Sequence, residues 1–321
     1  MKKILLATTM LAGTAGFAAA EVAVTGYAEI GIWSYNYDAF GDYVGNGTGG
    51  ADVGTAIAFW QDVEVTFAMS GTTDGGLEFG AKIDLDEGNV ALNNDSGTTV
   101  YIKGSFGSLT MGDTDGALDW AVQDAGTLTS LSDDHTSHIA YFSANGMDGW
   151  GDGQVVRYDN TFGAVGVAVS AEQIGDGQKG GGTILGLGIK YSADLGGTTL
   201  NLGLGYQTED VTDYNVVGLS MGAELAGGFS GMIGFQQYSG PLAGDDADQV
   251  GIGLNYTTGA LSMNLNYGKW SPQGVPSYDS WGLAVNYDLG GGAVVMAGYG
   301  SDMSYNTGNQ DQWSIGLGMS F

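Results

Sequence analysis

The sequence predicts an all-β protein, a 16-stranded antiparallel transmembrane β-barrel. Three observations carry that expectation. The first is strict two-residue alternation, clearest at Gln312–Phe321: Trp313, Ile315, Leu317, Met319 and Phe321 share one face, and Ser314, Gly316, Gly318 and Ser320 the other. Side chains alternate sides along a strand, so the segment is apolar on one face and small or polar on the other. The second is composition: 60 glycines but only 3 prolines among 321 residues, with period two throughout and no helix-length run of period 3.6. The third is a regular exchange of short and long connections.

In chain order the predicted strands are Val22–Tyr35, Thr55–Ser70, Leu77–Asp86, Thr98–Phe106, Ser108–Asp113, Gln154–Thr161, Ala164–Ile174 and Thr183–Ala193. Then follow Thr198–Thr208, Asp213–Leu225, Phe229–Ser239, Asp248–Thr257, Ala260–Trp270, Ser280–Asp288, Ala293–Asp302 and Asp311–Phe321. Each approaches the ~10 residues that a tilted strand needs to cross a bilayer. Every second connection is short and glycine-rich, as at Gly71–Gly76, Asp194–Gly197 and Leu289–Gly292. The intervening connections are longer and polar. The longest, Thr114–Gly153, has no clear period.

The two faces differ in kind. Phe106, Phe162, Tyr191, Tyr256, Tyr287 and Phe321 form one aromatic belt at the short-turn rim. Tyr206, Phe235, Tyr267, Trp281 and Trp313 form a second at the long-loop rim, with aliphatic residues between. Two belts around an apolar band match a membrane and its interfaces. The opposite face carries Glu29, Glu64, Glu78, Lys82, Asp84, Tyr101, Lys103, Arg157, Lys190 and several asparagines. So many charges cannot line a dry core, but they can line water. About sixteen strands leave room for an aqueous channel.

Residues 1–20 are expected to be a cleaved signal peptide: Lys2 and Lys3, a mildly apolar run, then Ala18-Ala19-Ala20. The barrel domain is expected over 21–321. Removing Lys2 and Lys3 from the 8 basic residues leaves six against 36 acids, a net −30. That charge repels nucleic acid and favours cations. The absence of cysteine excludes disulfides and thiolate metal sites.

Several segments are more specific: Phe67–Ala81 (FAMSGTTDGGLEFGA), Gly107–Asp113 (GSLTMGD), Val156–Asn160 (VRYDN), Tyr287–Ala293 (YDLGGGA) and the terminal Phe321. With these the chain resembles the general diffusion porins of Gram-negative outer membranes, especially the Rhodobacter-like branch, over its whole length after residue 20. The resemblance implies a homotrimer, a long third extracellular loop folded into the pore, and passive passage of small hydrophilic solutes and ions. It also implies that loop acids face basic residues of the wall.

The long segment 114–153 stands where that loop would be. It contains Asp115, Asp119, Asp124, Asp133, Asp134, Asp148 and Asp152, with Asp113 just before it. The expected constriction comprises Asp113, Asp115, Asp119 and Asp124 facing Lys82, Lys103 and Arg157, with Glu64 and Tyr101 beside them. Asp113 and Asp115 lie nearest the strand end, and Lys103 lies toward the short-turn rim. Arg157 is the only arginine, where such porins cluster several. A lumen this acidic is expected to prefer cations. No cofactor is required. Calcium is conceivable at Asp133-Asp134 or Asp245-Asp246, although exposed acids are the plainer reading. Divalent ions could also bridge acids to lipopolysaccharide.

Other readings stay open on sequence. A solute-specific channel would need an aromatic track, for which Tyr27, Trp33, Tyr101 and Tyr238 are candidates. A plugged structural or adhesin barrel is another. A hydrolase using His135 or His138 with Ser132 or Ser137 lacks any nucleophile-elbow sequence. The repeated GxG patterns, such as Gly186-Leu187-Gly188 and Gly203-Leu204-Gly205, lack a following helix and are not phosphate loops. They keep one side of the strand small.

Overall fold

The computed structural model describes residues 21–38, 52–86, 97–132, 136, 145–148, 154–174, 181–241, 246–304 and 308–321. The strands are β1 (Glu21–Asp38), β2 (Asp52–Thr72), β3 (Glu78–Asp86), β4 (Thr98–Gly104), β5 (Gly107–Gly112), β6 (Val155–Phe162), β7 (Val165–Gln173) and β8 (Thr183–Asp194). They continue as β9 (Thr199–Glu209), β10 (Asn215–Glu224), β11 (Phe229–Ser239), β12 (Ala247–Thr258), β13 (Leu261–Pro272), β14 (Tyr278–Gly290), β15 (Ala293–Ser304) and β16 (Gly308–Ser320). Every strand pairs antiparallel with its sequence neighbours, and β1 pairs with β16, so the sheet closes.

Closure leaves no unpaired strand edge to meet lipid. It runs to the last residue: Phe321 N–H donates to the Gly26 carbonyl at 2.8 Å, and Gly26 N–H donates back at 3.2 Å. The tight connections bend through positive φ. Gly290, Gly291 and Gly292 have φ of 82°, 65° and 90°, a region that side chains disfavour.

The alternation sorts as the sequence suggests. Outward residues Ile57, Phe59, Val63, Val100, Leu185, Leu187, Leu204, Leu219, Ile233 and Leu254 are all exposed, Phe59 at 93%. In water such a surface would drive aggregation; in a bilayer it is the solvated face. The aromatic positions fall at the two rims. Phe229 and Tyr256 meet at 4.3 Å between ring centroids near the short turns, and Trp281 and Tyr299 at 5.0 Å near the long loops.

Two features were not legible in the sequence. β1 and β2 run 18 and 21 residues and form a longer hairpin than the alternation predicts. Residues 117–121 form a short helix, α1 (Ala117–Ala121). It has no side-chain N-cap, and its first free amides find other partners. Gly116 N–H donates to Asp148 at 2.6 Å and Ala117 N–H to Ser170 Oγ at 2.8 Å.

An apolar cluster lies on the inner side of the wall. Leu118, Val122 and Met147 pack with Ile184, Val216, Tyr238 and Ala247, which are inward positions of β8, β10, β11 and β12. Leu118 and Met147 are fully buried. Burial of one such side chain contributes roughly 1.5–3 kcal/mol, so this cluster fixes α1 against the wall.

Candidate functional site

Residues 115–132 follow the inner face of the barrel strand by strand. Arg157 on β6 donates to the Asp115 carbonyl at 2.6 Å. α1 packs on β7, β8 and β9. Gln123 N–H donates to Ser220 Oγ on β10 at 3.0 Å. Asn264 on β13 donates to the Ala125 carbonyl at 3.2 Å, and Thr127 donates to Asn255 on β12 at 2.6 Å. Asn286 on β14 donates to the Thr129 carbonyl at 3.2 Å. The run ends at β1, where Ser132 N–H donates to Glu29 at 2.6 Å. Residues 146–147 return to β11 and β9: Gly146 N–H donates to Gln236 at 3.1 Å and Met147 N–H to Gln207 at 2.7 Å.

The glycine pattern explains how a backbone can lie so close. A Cβ on Gly205 would stand 2.5 Å from Leu118 Cγ, and one on Gly298 would stand 2.5 Å from Ser130 Cβ. At Gly188, Gly203 and Gly253 it would collide with the carbonyl oxygens of Ala117, Ala121 and Ala125. At Gly316 it would reach Leu131 at 2.7 Å. These positions all face inward. The strand glycines therefore form a track shaped to the loop, and the GxG repeats are its trace in the sequence.

Glu29 pins the far end of that track. It is 1% exposed and accepts from Tyr27 OH at 2.8 Å, Trp60 Nε1 at 3.0 Å and Ser132 N–H. Three donors satisfy a buried carboxylate that would otherwise be costly.

The structure brings some of the expected constriction residues together and separates others. Arg157 is 12% exposed; its Nη1 lies 3.9 Å from the Asp115 carboxylate and its Nε donates to Asp159 at 3.2 Å. Asp119 and Asp124 lie in the same electrostatic group with Asp148. Asp113 is elsewhere: it accepts from Gly97 N–H at 2.6 Å and so caps the entry to β4. Lys82 pairs with Asp84 at 2.7 Å, and Asp84 accepts from Thr66 at 2.6 Å. Lys103 pairs with Glu78 at 2.7 Å beside the β4–β5 turn, its ammonium 5.5 Å from the Tyr101 ring. Tyr101 itself covers Gly80. Glu64 stands across from Tyr27 and Asp86 in the ladder. The aromatic candidates form no single line: Trp33 meets Trp60 at 4.1 Å and Tyr238 meets Trp270 at 5.0 Å.

Burial, reinforced by Asp148, Asp115 and Asp124, raises the Asp119 carboxyl to about 8; Arg157 opposes this. Burial raises Asp148 to about 6, against the pull of hydrogen bonds from Gly116 and Gln207. One side of this lumen therefore loses negative charge in the neutral range.

Asp133, Asp134, Asp152, Asp245, His135, His138 and Ser137 lie outside the described residues, as do residues 1–20. Asp246 accepts from Gly240 N–H at 3.4 Å. Among the described residues no cluster of three or more His, Asp or Glu has metal-site geometry. Sequence reasoning missed Ser170, Gln207 and Ser220 as partners of the loop, and Asp159 as the partner of Arg157. Asp159 shares the parity of Arg157 two residues earlier, which is a usable signal. The contacts of Ser170, Gln207 and Ser220 span 53 to 97 residues and leave no local trace.

The family model for Gram-negative porins matches residues 7–316. The chain belongs to that family. It is 29% identical over 257 residues to a porin of Rhodobacter capsulatus, covering 73% of this chain and 84% of that one. A porin structure refined at 1.8 Å matches with a TM-score of 0.70 at 24% identity, covering 94% of this chain and 100% of that one. Variants of the Rhodopseudomonas blastica porin match with TM-scores up to 0.62 at 18–20% identity over the same shares. These structural likenesses establish the fold, and the family places the protein in the outer membrane as a channel rather than an enzyme.

Proposed function

We propose that this porin is a general diffusion channel for small hydrophilic solutes and ions, narrowed by residues 115–132 and selective for cations. The observation that carries the reading is the docking of that segment on the inner glycine track from β6 round to β1. Solutes then pass along the inner faces of β2–β5, beside Glu64, Lys82, Asp84, Tyr101 and Lys103. Asp115 and Arg157 stand at one border of that passage, with Asp124 beyond them, and Asp119 adds its charge only as pH rises through about 8. Three of the inner cations, Lys82, Lys103 and Arg157, are held by carboxylates. Their positive charge is locally offset, which leaves the acidic excess to set selectivity.

Passage requires no cofactor. Calcium at Asp133-Asp134 or Asp245-Asp246, contact with lipopolysaccharide through divalent ions, a homotrimer, and signal-peptide removal before Glu21 complete the proposal. Mass spectrometry of the purified protein tests the last. Reversal potentials in a KCl gradient across a planar bilayer test the main claim. The sign for potassium preference supports it, and the opposite sign contradicts it. Absence of any conductance favours a plugged barrel.

A further inference from the structure

A cavity of about 320 Å³ lies between α1 and the wall, toward the short-turn rim, at the low end of the range for small-molecule sites. Its lining includes Trp120, Gln123, Thr161, Lys190, Ser192 and Asn201. Thr161, Lys190, Ser192 and Asn201 share the inward parity of β6, β8 and β9.

Lys190 sets this place apart from the rest of the lumen. Lys82, Lys103 and Arg157 each hold a carboxylate within 4 Å. Among the described residues Lys190 holds none. Its ammonium instead sits 3.5 Å from the centroid of the Trp120 ring and donates to the Trp120 carbonyl at 3.4 Å. Gly166 makes the arrangement possible: a Cβ there would stand 2.9 Å from the Trp120 ring and 3.1 Å from Lys190 Cγ. An aromatic face orients an ammonium without neutralising it. An ammonium has three donors, so donors remain for a ligand. Around it stand hydroxyl and amide groups suited to ligand hydroxyls. The Gln123 amide oxygen is buried with no hydrogen-bond partner, against Gly222, so rotation toward a donor would relieve an unsatisfied group.

We propose that this cavity is a binding subsite for small hydroxylated carboxylates. The carboxylate pairs with Lys190, and the hydroxyls reach Thr161, Ser192, Asn201 and the Gln123 amide. The subsite gives an acid-rich channel a retention point for one class of anion. It rests on the channel reading above.

The test uses single channels in planar bilayers in constant KCl, with potassium gluconate added on the short-turn side and sorbitol as the neutral control. Gluconate is expected to interrupt the current at concentrations about tenfold below sorbitol, because it adds a charge-assisted contact. Lys190→Met is expected to raise the half-blocking gluconate concentration about tenfold. Equal block by gluconate and sorbitol, or unchanged block in the variant, overturns the subsite. Should Lys190→Met fail to insert, Asn201→Ala takes its place, and unchanged gluconate block there overturns it equally. Saturation-transfer NMR of gluconate on the detergent-solubilised protein separates the two claims. Binding that the variant loses, in a protein that passes no current, upholds the subsite and sinks the channel reading. Binding that wild type and variant share overturns the subsite.

Discussion

The inner wall has two arcs built from opposite kinds of residue. From β7 round to β1 the inward positions are crowded with glycine, serine and asparagine, and a loop backbone lies on them. On β2–β5 the inward positions carry Trp60, Glu64, Lys82, Asp84, Tyr101 and Lys103, long side chains that reach toward the lumen. Strand geometry is the same in both arcs, so the difference records what each arc faces. A wall covered by protein must be small where the covering backbone lies closest, as at Gly188 and Gly203, and must supply hydrogen bonds to that backbone elsewhere, as Gln207 and Gln236 do. A wall that faces water can be large and charged.

The strongest way to break this contrast is to fill the track. Gly203→Leu drives a side chain into the Ala121 carbonyl and toward Ser220 Oγ, which a Cβ alone would approach to 2.6 Å. Overpacking costs roughly 1–3 kcal/mol when neighbours can shift, and more when backbone stands in the way. The expected result is a displaced loop, read as higher single-channel conductance and a lower melting temperature. Leu118→Ala acts on the same contact from the loop side. It should cost about 2–5 kcal/mol and raise open-channel noise.

Next in size is the pin. Glu29→Ala removes the acceptor for Tyr27, Trp60 and Ser132 N–H. Leaving buried donors unpaired costs about 1–3 kcal/mol. Slow conductance substates should appear as the far end of the loop comes free, and Glu29→Gln should show fewer of them. Wild-type steadiness in both variants would mean that the pin is redundant.

Much of this contrast is legible in the sequence. Period two gave the faces, and the spacing of turns gave sixteen strands, because both are local properties of the chain. Even the glycine track was half legible: Gly186, Gly188, Gly203 and Gly205 marked a side kept small. What occupies that side was not legible, because Ala117, Ala121 and Leu118 arrive from more than sixty residues away. The helix of residues 117–121 was missed because five residues are too few to show a 3.6 period. Asp113 illustrates the same limit. Its charge suggested a pore residue, yet its geometry makes it a cap on Gly97.

The smallest expected effect sharpens the contrast electrostatically. Asp119 titrates near 8, far above its ordinary 3.8. Cation preference should therefore grow as pH rises from about 6 to 9, since negative charge appears on the loop. Asp119→Asn should flatten that part of the profile. The same shift has a sign for stability. The folded state holds this proton more tightly than the unfolded chain, so stability falls as pH rises from 3.8 through about 8. Asp119→Asn should remove that decline.

The chain has no cysteine, so a single introduced thiol reports on one position alone. Lys82→Cys places a thiol in the arc that faces water; Ser220→Cys places one beneath the loop, where Gln123 N–H now docks. Single-channel current is followed while a charged methanethiosulfonate reagent is added. A stepwise, permanent current drop at position 82 and none at position 220 is the predicted result. Block at 220 with silence at 82 would contradict it.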